Sequence, residues 1–348
     1  MKKYVINGLF ITQQVTGIQR YAYEMCKALD NLVKGKQIVM LVPELYTGKI
    51  NIFRNIRIIR YGKRKGLVWE QTDLRRYLKK TRSVSINFCN VAPLYVTPGI
   101  TAVHDLMFKL FPEWFTTVQN KLSCVWHTYQ ADYALKHEKY IICTSNFTKE
   151  VLEKNYPSAK GKVFVTPAAW QHVERFKENK NWESDYPFLM KKNFYFSMAT
   201  RAKNKNGQWL IEAAKKNPNS VFAVAGRSYE PESSEIPNNM HILGYVSDED
   251  ACSLMKNCKA FICPSYYEGF GSPPLEALAL GTKIIVSNKS ALPEVFEKAA
   301  HYIDPYNTDV DLDELLKEPV ADADTVLNKY SWEKSAKILY DLMYRSKK

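Results

Sequence analysis

The chain has 348 residues and a mass of 40.2 kDa, the size of two ordinary domains. Hydrophobic residues make up 46% and charged residues 24%, globular values that exclude a disordered or fibrous chain. The formal net charge is +13, and it is one-sided: residues 1–170 hold 26 Lys and Arg against 11 Asp and Glu, residues 171–348 hold 23 against 25.

No apolar run approaches the roughly 18 residues a membrane-spanning helix needs. Lys2 and Lys3 followed by Tyr4-Val5-Ile6 resemble the start of a signal peptide, but Asn7-Gly8 interrupts the run and no small-residue cleavage site follows. A first buried strand is the better reading. Seven cysteines without a C-x-x-C support buried, reduced thiols in a cytoplasmic protein rather than a zinc site or a disulfide frame.

In chain order, strands are expected at Lys2–Phe10, Gln37–Val42, Ile56–Tyr61, Val84–Phe88, Thr101–His104, Tyr140–Cys143 and Val163–Thr166. Helical patterns fall at Gly17–Leu32, Thr117–Leu135 and Asn146–Asn155. The second half repeats the rhythm, with strands at Phe194–Met198, Val221–Ala225, Met240–Leu243, Ala260–Cys263, Lys283–Ser287 and His301–Ile303. Its helices are expected at Gly207–Lys216, Asp248–Lys256, Pro273–Leu280 and Leu292–Lys298.

Apolar strands alternating with helices define an α/β class with parallel sheets covered on both faces. The expected organisation is a first domain over 1–170, a polar linker over 171–192 and a second domain over 193–330. A last helix, Ser331–Arg345, would open on a Ser cap and pack back on the first domain through Trp332, Leu339 and Leu342. Two doubly wound domains would face a cleft, since ligands sit at the carboxyl ends of such strands.

The basic run Arg54–Arg82 holds eleven Lys and Arg against Glu70 and Asp73. Such a field suits an anionic membrane surface or a lipid-linked phosphate; a solvated basic face is the alternative. No aromatic-basic recognition motif supports nucleic acid. Trp69 and Trp114-Phe115 could stack on sugars or rest on a bilayer surface, but buried aromatics are commoner. A P-loop, a dinucleotide fingerprint, H-E-x-x-H and G-x-S-x-G are all absent.

The most informative stretch runs from Pro264 to Leu278, PSYYEGFGSPPLEAL, between a strand and a helix. Ser272 is the expected N-cap, Pro273 suits the first helical position and Gly281 the C-terminal cap. Gly269 and Gly271 let the backbone approach a ligand, and a helix N-terminus offers an anion site suited to a diphosphate. Glu268 in the loop and Glu276, placed in the first helical turn, are acceptors for sugar hydroxyls.

Glu268 and Glu276 have seven residues between them, and the segment resembles the E-x(7)-E motif of retaining, nucleotide-sugar-dependent glycosyltransferases of family four. The likeness continues in Gly281-Thr282, Ile284–Ser287 and Leu292-Pro293-Glu294-Val295. It recurs upstream in Thr16–Tyr21, Val103-His104-Asp105-Leu106, Thr144–Phe147, Lys205-Asn206-Gly207 and Leu210–Ala213.

The resemblance implies the GT-B fold. It implies that Glu268 lies at the transferred sugar and that Gly269, Phe270, Gly271 and Ser272 bind sugar hydroxyls and diphosphate. Glu276 would bind the nucleotide ribose. Arg201 and Lys205 would neutralise the leaving diphosphate, with Lys203 a competitor for the role. His104 would contact the transferred sugar, Gly17 would let phosphate or acceptor approach, and Tyr245 would lie in the base-binding loop. Each has a plainer reading as a loop charge, a satisfied histidine or a surface turn.

The expected reaction is hexosyl transfer (mannosyl, rhamnosyl, glucosyl or galactosyl) from a UDP, GDP or dTDP sugar. The acceptor would be a saccharide or lipid-linked saccharide of surface polysaccharide such as O-antigen or capsule. Neither a metal nor another cofactor is expected, and the enzyme would be cytoplasmic or peripheral at the inner membrane face. The alternatives are a sugar-nucleotide epimerase on the same fold and a non-catalytic nucleotide-binding protein.

Overall fold

Short, mostly apolar runs pair into two sheets in the computed structural model, which describes residues 3–35, 38–48, 53–199, 202–226 and 236–345. The chain divides into one unit over residues 1–168 and 331–348 and a second over 169–330. Both are α/β, so the expected class is the observed one.

Among the described residues the first unit carries seven strands: β1 (Tyr4–Asn7), β2 (Ile38–Val42), β3 (Arg57–Arg60), β4 (Val84–Asn87), β5 (Ile100–Ala102), β6 (Tyr140–Cys143) and β7 (Val163–Val165). Their order is β3-β2-β1-β4-β5-β6-β7, every neighbouring pair parallel. The chain winds outward from β1 to β3, then returns to place β4 on the other side of β1. That reversal is a topological switch point, where doubly wound sheets receive ligands at the carboxyl ends of their strands.

The second unit repeats the plan with six strands: β8 (Phe194–Met198), β9 (Val221–Ala225), β10 (Met240–Gly244), β11 (Ala260–Cys263), β12 (Ile284–Ser287) and β13 (His301–Ile303). The order β10-β9-β8-β11-β12-β13 is again parallel throughout, with its switch point between β8 and β11. β11 and β12 are buried along their whole length, as their unbroken apolar runs require. The helix Gly207–Lys216 covers this sheet by burying Trp209, Leu210 and Ile211 in a core with Tyr195, Phe222 and Ile262.

Several boundaries differ from expectation. The first strand stops at Asn7 because the Asn7 side chain accepts the Leu9 N–H at 3.3 Å and turns the chain into a 3-10 helix, Gly8–Thr12. No helix was expected between Gly66 and Thr81, where one forms with a π turn at Glu70–Leu74. Trp69 lies on it fully buried, its Nε1 donating to the Tyr61 carbonyl at 2.6 Å, so it has no free face for a sugar.

The stretch 171–192, expected as a linker, is folded onto the second unit. Trp182 is buried, and the Asn179 N–H donates to Ser253 Oγ at 2.8 Å. The last helix, Trp332–Tyr344, opens on Ser331 as N-cap and belongs to the first unit. Trp332 meets Tyr21 edge-on at 5.8 Å, and Ser335 Oγ donates to the Pro167 carbonyl at 2.7 Å. All seven cysteines are free thiols, six of them buried. Among the described residues no helix is long and apolar enough to cross a membrane.

Candidate active site

Two segments leave the switch point of the second unit. After β8 comes the 3-10 turn Lys203–Lys205, and after β11 the loop from Pro264 to Gly271. Asparagines sew them together. The Asn204 carbonyl accepts the Tyr266 N–H at 2.8 Å, while Asn204 Nδ2 donates to the Tyr267 carbonyl at 3.1 Å. Asn206, held at φ +52°, donates from Nδ2 to the carbonyls of Pro264 and Pro305 at 3.0 and 2.9 Å. Asparagine tolerates this left-handed backbone better than most residues, which suits it to the corner.

The stitching sets Lys205 against Glu268. Lys205 Nζ donates to Glu268 Oε1 at 2.8 Å, and Ser265 Oγ donates to the same oxygen at 2.7 Å. The side chains are 27% and 12% exposed, so the pair is reachable yet poorly hydrated. Ser290 Oγ accepts the Glu268 N–H at 2.9 Å and fixes the backbone beneath it. Such a charge pair, held by neighbours before any ligand arrives, is the arrangement electrostatic catalysis needs.

The loop ends in the helix Ser272–Ala279, and two expectations about it need correcting. The N-cap is Gly271 at φ +99°, and Ser272 is the first helical residue. A Cβ at Gly271 would lie 2.6 Å from Leu292 Cδ2, so both its backbone angle and the close approach of Leu292 demand glycine. Glu276 is the fifth helical residue and lies in the second turn, too far along for the helix-terminus role suggested by a first-turn position.

The two prolines that follow Ser272 bring no N–H. The N–H groups this helix start can offer are therefore those of Ser272 and the preceding loop, not a full helical turn. Gly281 ends the helix as expected, at φ +79°, its N–H reaching the Leu278 carbonyl while Thr282 reaches Ala277. Phe270 is buried and meets Tyr330 edge-on at 5.2 Å, so its side chain anchors the loop and leaves only its backbone for the expected role.

Glu276 has a partner that sequence reasoning missed. Its Oε1 lies 3.0 Å from Nε2 of His172, a buried residue in the 3-10 helix Gln171–Arg175. Tyr245 is exposed just beyond β10, two strands from the switch point of its sheet. Arg201 lies outside the described residues. Lys203 is exposed on the 3-10 turn, and it is Lys205 that meets Glu268.

Gly17 and His104 belong to the first unit. Gly17 opens the helix Gly17–Leu32 with nothing within 4 Å of the place a Cβ would take. His104 follows β5 and is buried, and loss of hydration pulls its imidazole down to about 4. Its Nε2 lies 2.7 Å from the Phe88 carbonyl, which can only accept, so the neutral ring carries its proton there. The His104 carbonyl accepts Thr148 Oγ1 at 3.3 Å, and Tyr21 stands edge-on to the ring at 4.8 Å. A ring held this way is a neutral positioning group rather than a proton shuttle.

Two doubly wound parallel sheets, one in each unit, are the architecture of the GT-B fold. Residues 178–330 match the family model of the glycosyl transferases group 1. O-antigen chain mannosyltransferase B of Escherichia coli is 24% identical over 336 residues, with 86% of each chain covered. Among solved structures, sucrose-phosphate synthase from Thermosynechococcus elongatus superposes with a TM-score of 0.71 at 15% identity, covering 98% of this chain and 97% of that one. Anabaena Alr3699/HepE, solved with UDP and glucose, gives 0.67 at 13% identity over 99% and 100%. The group 1 match therefore lies within the second unit, and across the whole chain the solved structures share the GT-B fold.

Proposed function

We propose that the protein is a retaining hexosyltransferase, moving a sugar from a nucleoside diphosphate to a saccharide or lipid-linked saccharide in surface polysaccharide assembly. The observation that carries this reading is the Lys205–Glu268 pair fixed at the switch point of the second sheet. Lys205, the Ser272 N–H and the loop amides would take the diphosphate charge. Glu268, with both described bonds on Oε1, keeps Oε2 as an acceptor for a hydroxyl of the transferred sugar. Glu276, oriented by His172, would accept from the ribose. Attack would come from the face the diphosphate leaves, with a donor phosphate oxygen taking the acceptor proton. Neutralisation by lysine and backbone amides needs no metal in this scheme. The name of the Escherichia coli relative favours a mannosyl group among the candidate sugars.

Thermal unfolding in EDTA with UDP-, GDP- and dTDP-hexoses tests the donor site. One nucleotide class at about 100 times its Kd should raise Tm by several degrees, from roughly 2.7 kcal/mol of added stability. No response to any of them would sink the reading. Inversion at the anomeric carbon, read by proton NMR of the product, would contradict retention.

We also propose peripheral binding to an anionic membrane at its cytoplasmic face. The helix Val118–His137 exposes Val118, Leu122, Val125 and Tyr129, spaced to form one stripe, on the unit that holds the basic excess. Vesicles rich in phosphatidylglycerol should sediment the protein at low salt, and neutral vesicles should not. Equal binding to both would refute it.

A further inference from the structure

The first unit has its own ligand-sized feature at its switch point. A cavity of about 60 Å³ lies where β1 and β4 end, lined by Asn7, Leu9, Phe10, Glu70, Phe88 and Val91 among others. Glu70 enters it from the π turn, a helix irregularity found often at functional sites. It is 3% exposed, and its described partner is the neutral side-chain amide of Asn7.

The contrast with Asp73, one turn along and equally buried, is informative. Asp73 is paired with Arg64 at 2.9 Å. Glu70 lies in the same run of eleven cations and takes none of them as a described partner. Burial pushes its carboxyl up to about 7, with the Asn7 bond opposing, and pushes the neighbouring Cys89 thiol up to about 12, too high to serve as a nucleophile. A buried carboxylate costs several kcal/mol unless its hydrogen bonds are met, so a ligand hydroxyl is the missing complement.

We propose that Glu70 accepts a hydrogen bond from one hydroxyl of the acceptor saccharide in this cavity, while Leu9, Phe10, Phe88 and Val91 pack on the C–H face beside that hydroxyl. The cavity has room for a sugar hydroxyl and the carbons beside it, since about 10–15 Å³ of such volume already holds one water. The cavity and His104 share a neighbour, since Phe88 lines the cavity and its carbonyl bonds His104 Nε2. This inference rests on the glycosyl transfer proposed above.

The test uses octyl mannoside, glucoside, galactoside and N-acetylglucosaminide as acceptors with the responding nucleotide sugar, then the monodeoxy forms of whichever is glycosylated. Glu70→Gln should raise the acceptor KM about 10- to 100-fold, the worth of one hydrogen bond to a charged group, with nucleotide Kd within twofold. In the wild type one monodeoxy acceptor should lose a similar factor, and in Glu70→Gln that loss should shrink to about threefold or less. Val91→Phe, which fills the cavity and leaves Glu70 in place, should raise the acceptor KM independently. A lowered Tm or kcat with unchanged acceptor KM in both variants would mean a purely structural role and overturn the inference. Absence of both nucleotide response and transfer in the wild type would instead remove the functional reading beneath it.

Discussion

Glu268→Ala is expected to lower transfer by about 1,000-fold while the nucleotide diphosphate binds as tightly as before, or more tightly. The two effects separate because Glu268 does two things. In the proposed reaction it presents Oε2 to the transferred sugar, and through Oε1 it shares the charge of Lys205 at 2.8 Å. Removing it takes away an acceptor aimed at the reacting sugar, a loss of the size found for single preorganised groups elsewhere. It also frees Lys205 for the diphosphate. Stability should fall by only about 1–2 kcal/mol, since Ser265 Oγ loses an acceptor but Lys205 is exposed enough to rehydrate. Turnover within tenfold of the wild type, measured at saturating donor, would contradict the role. Glu268→Gln separates charge from shape: it should retain more activity than alanine if hydrogen bonding to the sugar dominates.

What the sequence makes legible follows from how locally each signal is encoded. β6, β8, β9, β11 and β13 occupy the ranges expected for them, because each is a short, mostly apolar run. The helices Gly17–Leu32, Asn146–Asn155 and Gly207–Lys216 also match, each carrying a steady apolar stripe. The segment Gly66–Thr81 was hidden for a definite reason. Its buried residues Trp69, Leu74 and Leu78 are spaced by five and then four, since the π turn inserts an extra residue and breaks the 3.6-residue period. The exposed Leu67 and Val68 blur the pattern further. Residues 171–192 looked like a linker because their anchors, Trp182 and Asn179, are isolated among polar neighbours.

The donor loop was readable as chemistry because its glycines, prolines and carboxylates are contiguous. Its exact capping was not, since choosing Gly271 over Ser272 depends on the packing of Leu292 some twenty residues later. His172, Asn204 and Ser290 were invisible for a deeper reason. They reach Glu276, Tyr267 and Glu268 through strand order, and nothing in their own sequence surroundings marks them. Glu70 was noticed only as one acid in a basic run, because its separation from those cations is a fact of burial.

Lys205→Ala should move nucleotide affinity in the direction opposite to Glu268→Ala. Without the ammonium, Glu268 is left as a largely buried carboxylate at the place the diphosphate must approach, so repulsion adds to the lost attraction. Nucleotide Kd should rise about 10- to 100-fold and kcat/KM should fall about 100- to 1,000-fold, because charge on the leaving diphosphate grows toward the transition state. Arginine should rescue poorly: its planar fork is bulkier than the compact ammonium, and Asn204 and Asn206 hold the turn in one register. The decisive measurement is the Lys205→Ala/Glu268→Ala double variant. Removing Glu268 from the lysine-less chain also removes the stranded negative charge, so nucleotide affinity should recover by a larger factor than Glu268→Ala gives in the wild type, while transfer stays lost. Such a result places both residues in one electrostatic unit acting on the diphosphate. If Glu268→Ala changes nucleotide affinity by the same factor with and without Lys205, the two act on different parts of the donor, and the ion pair is a feature of the empty site alone.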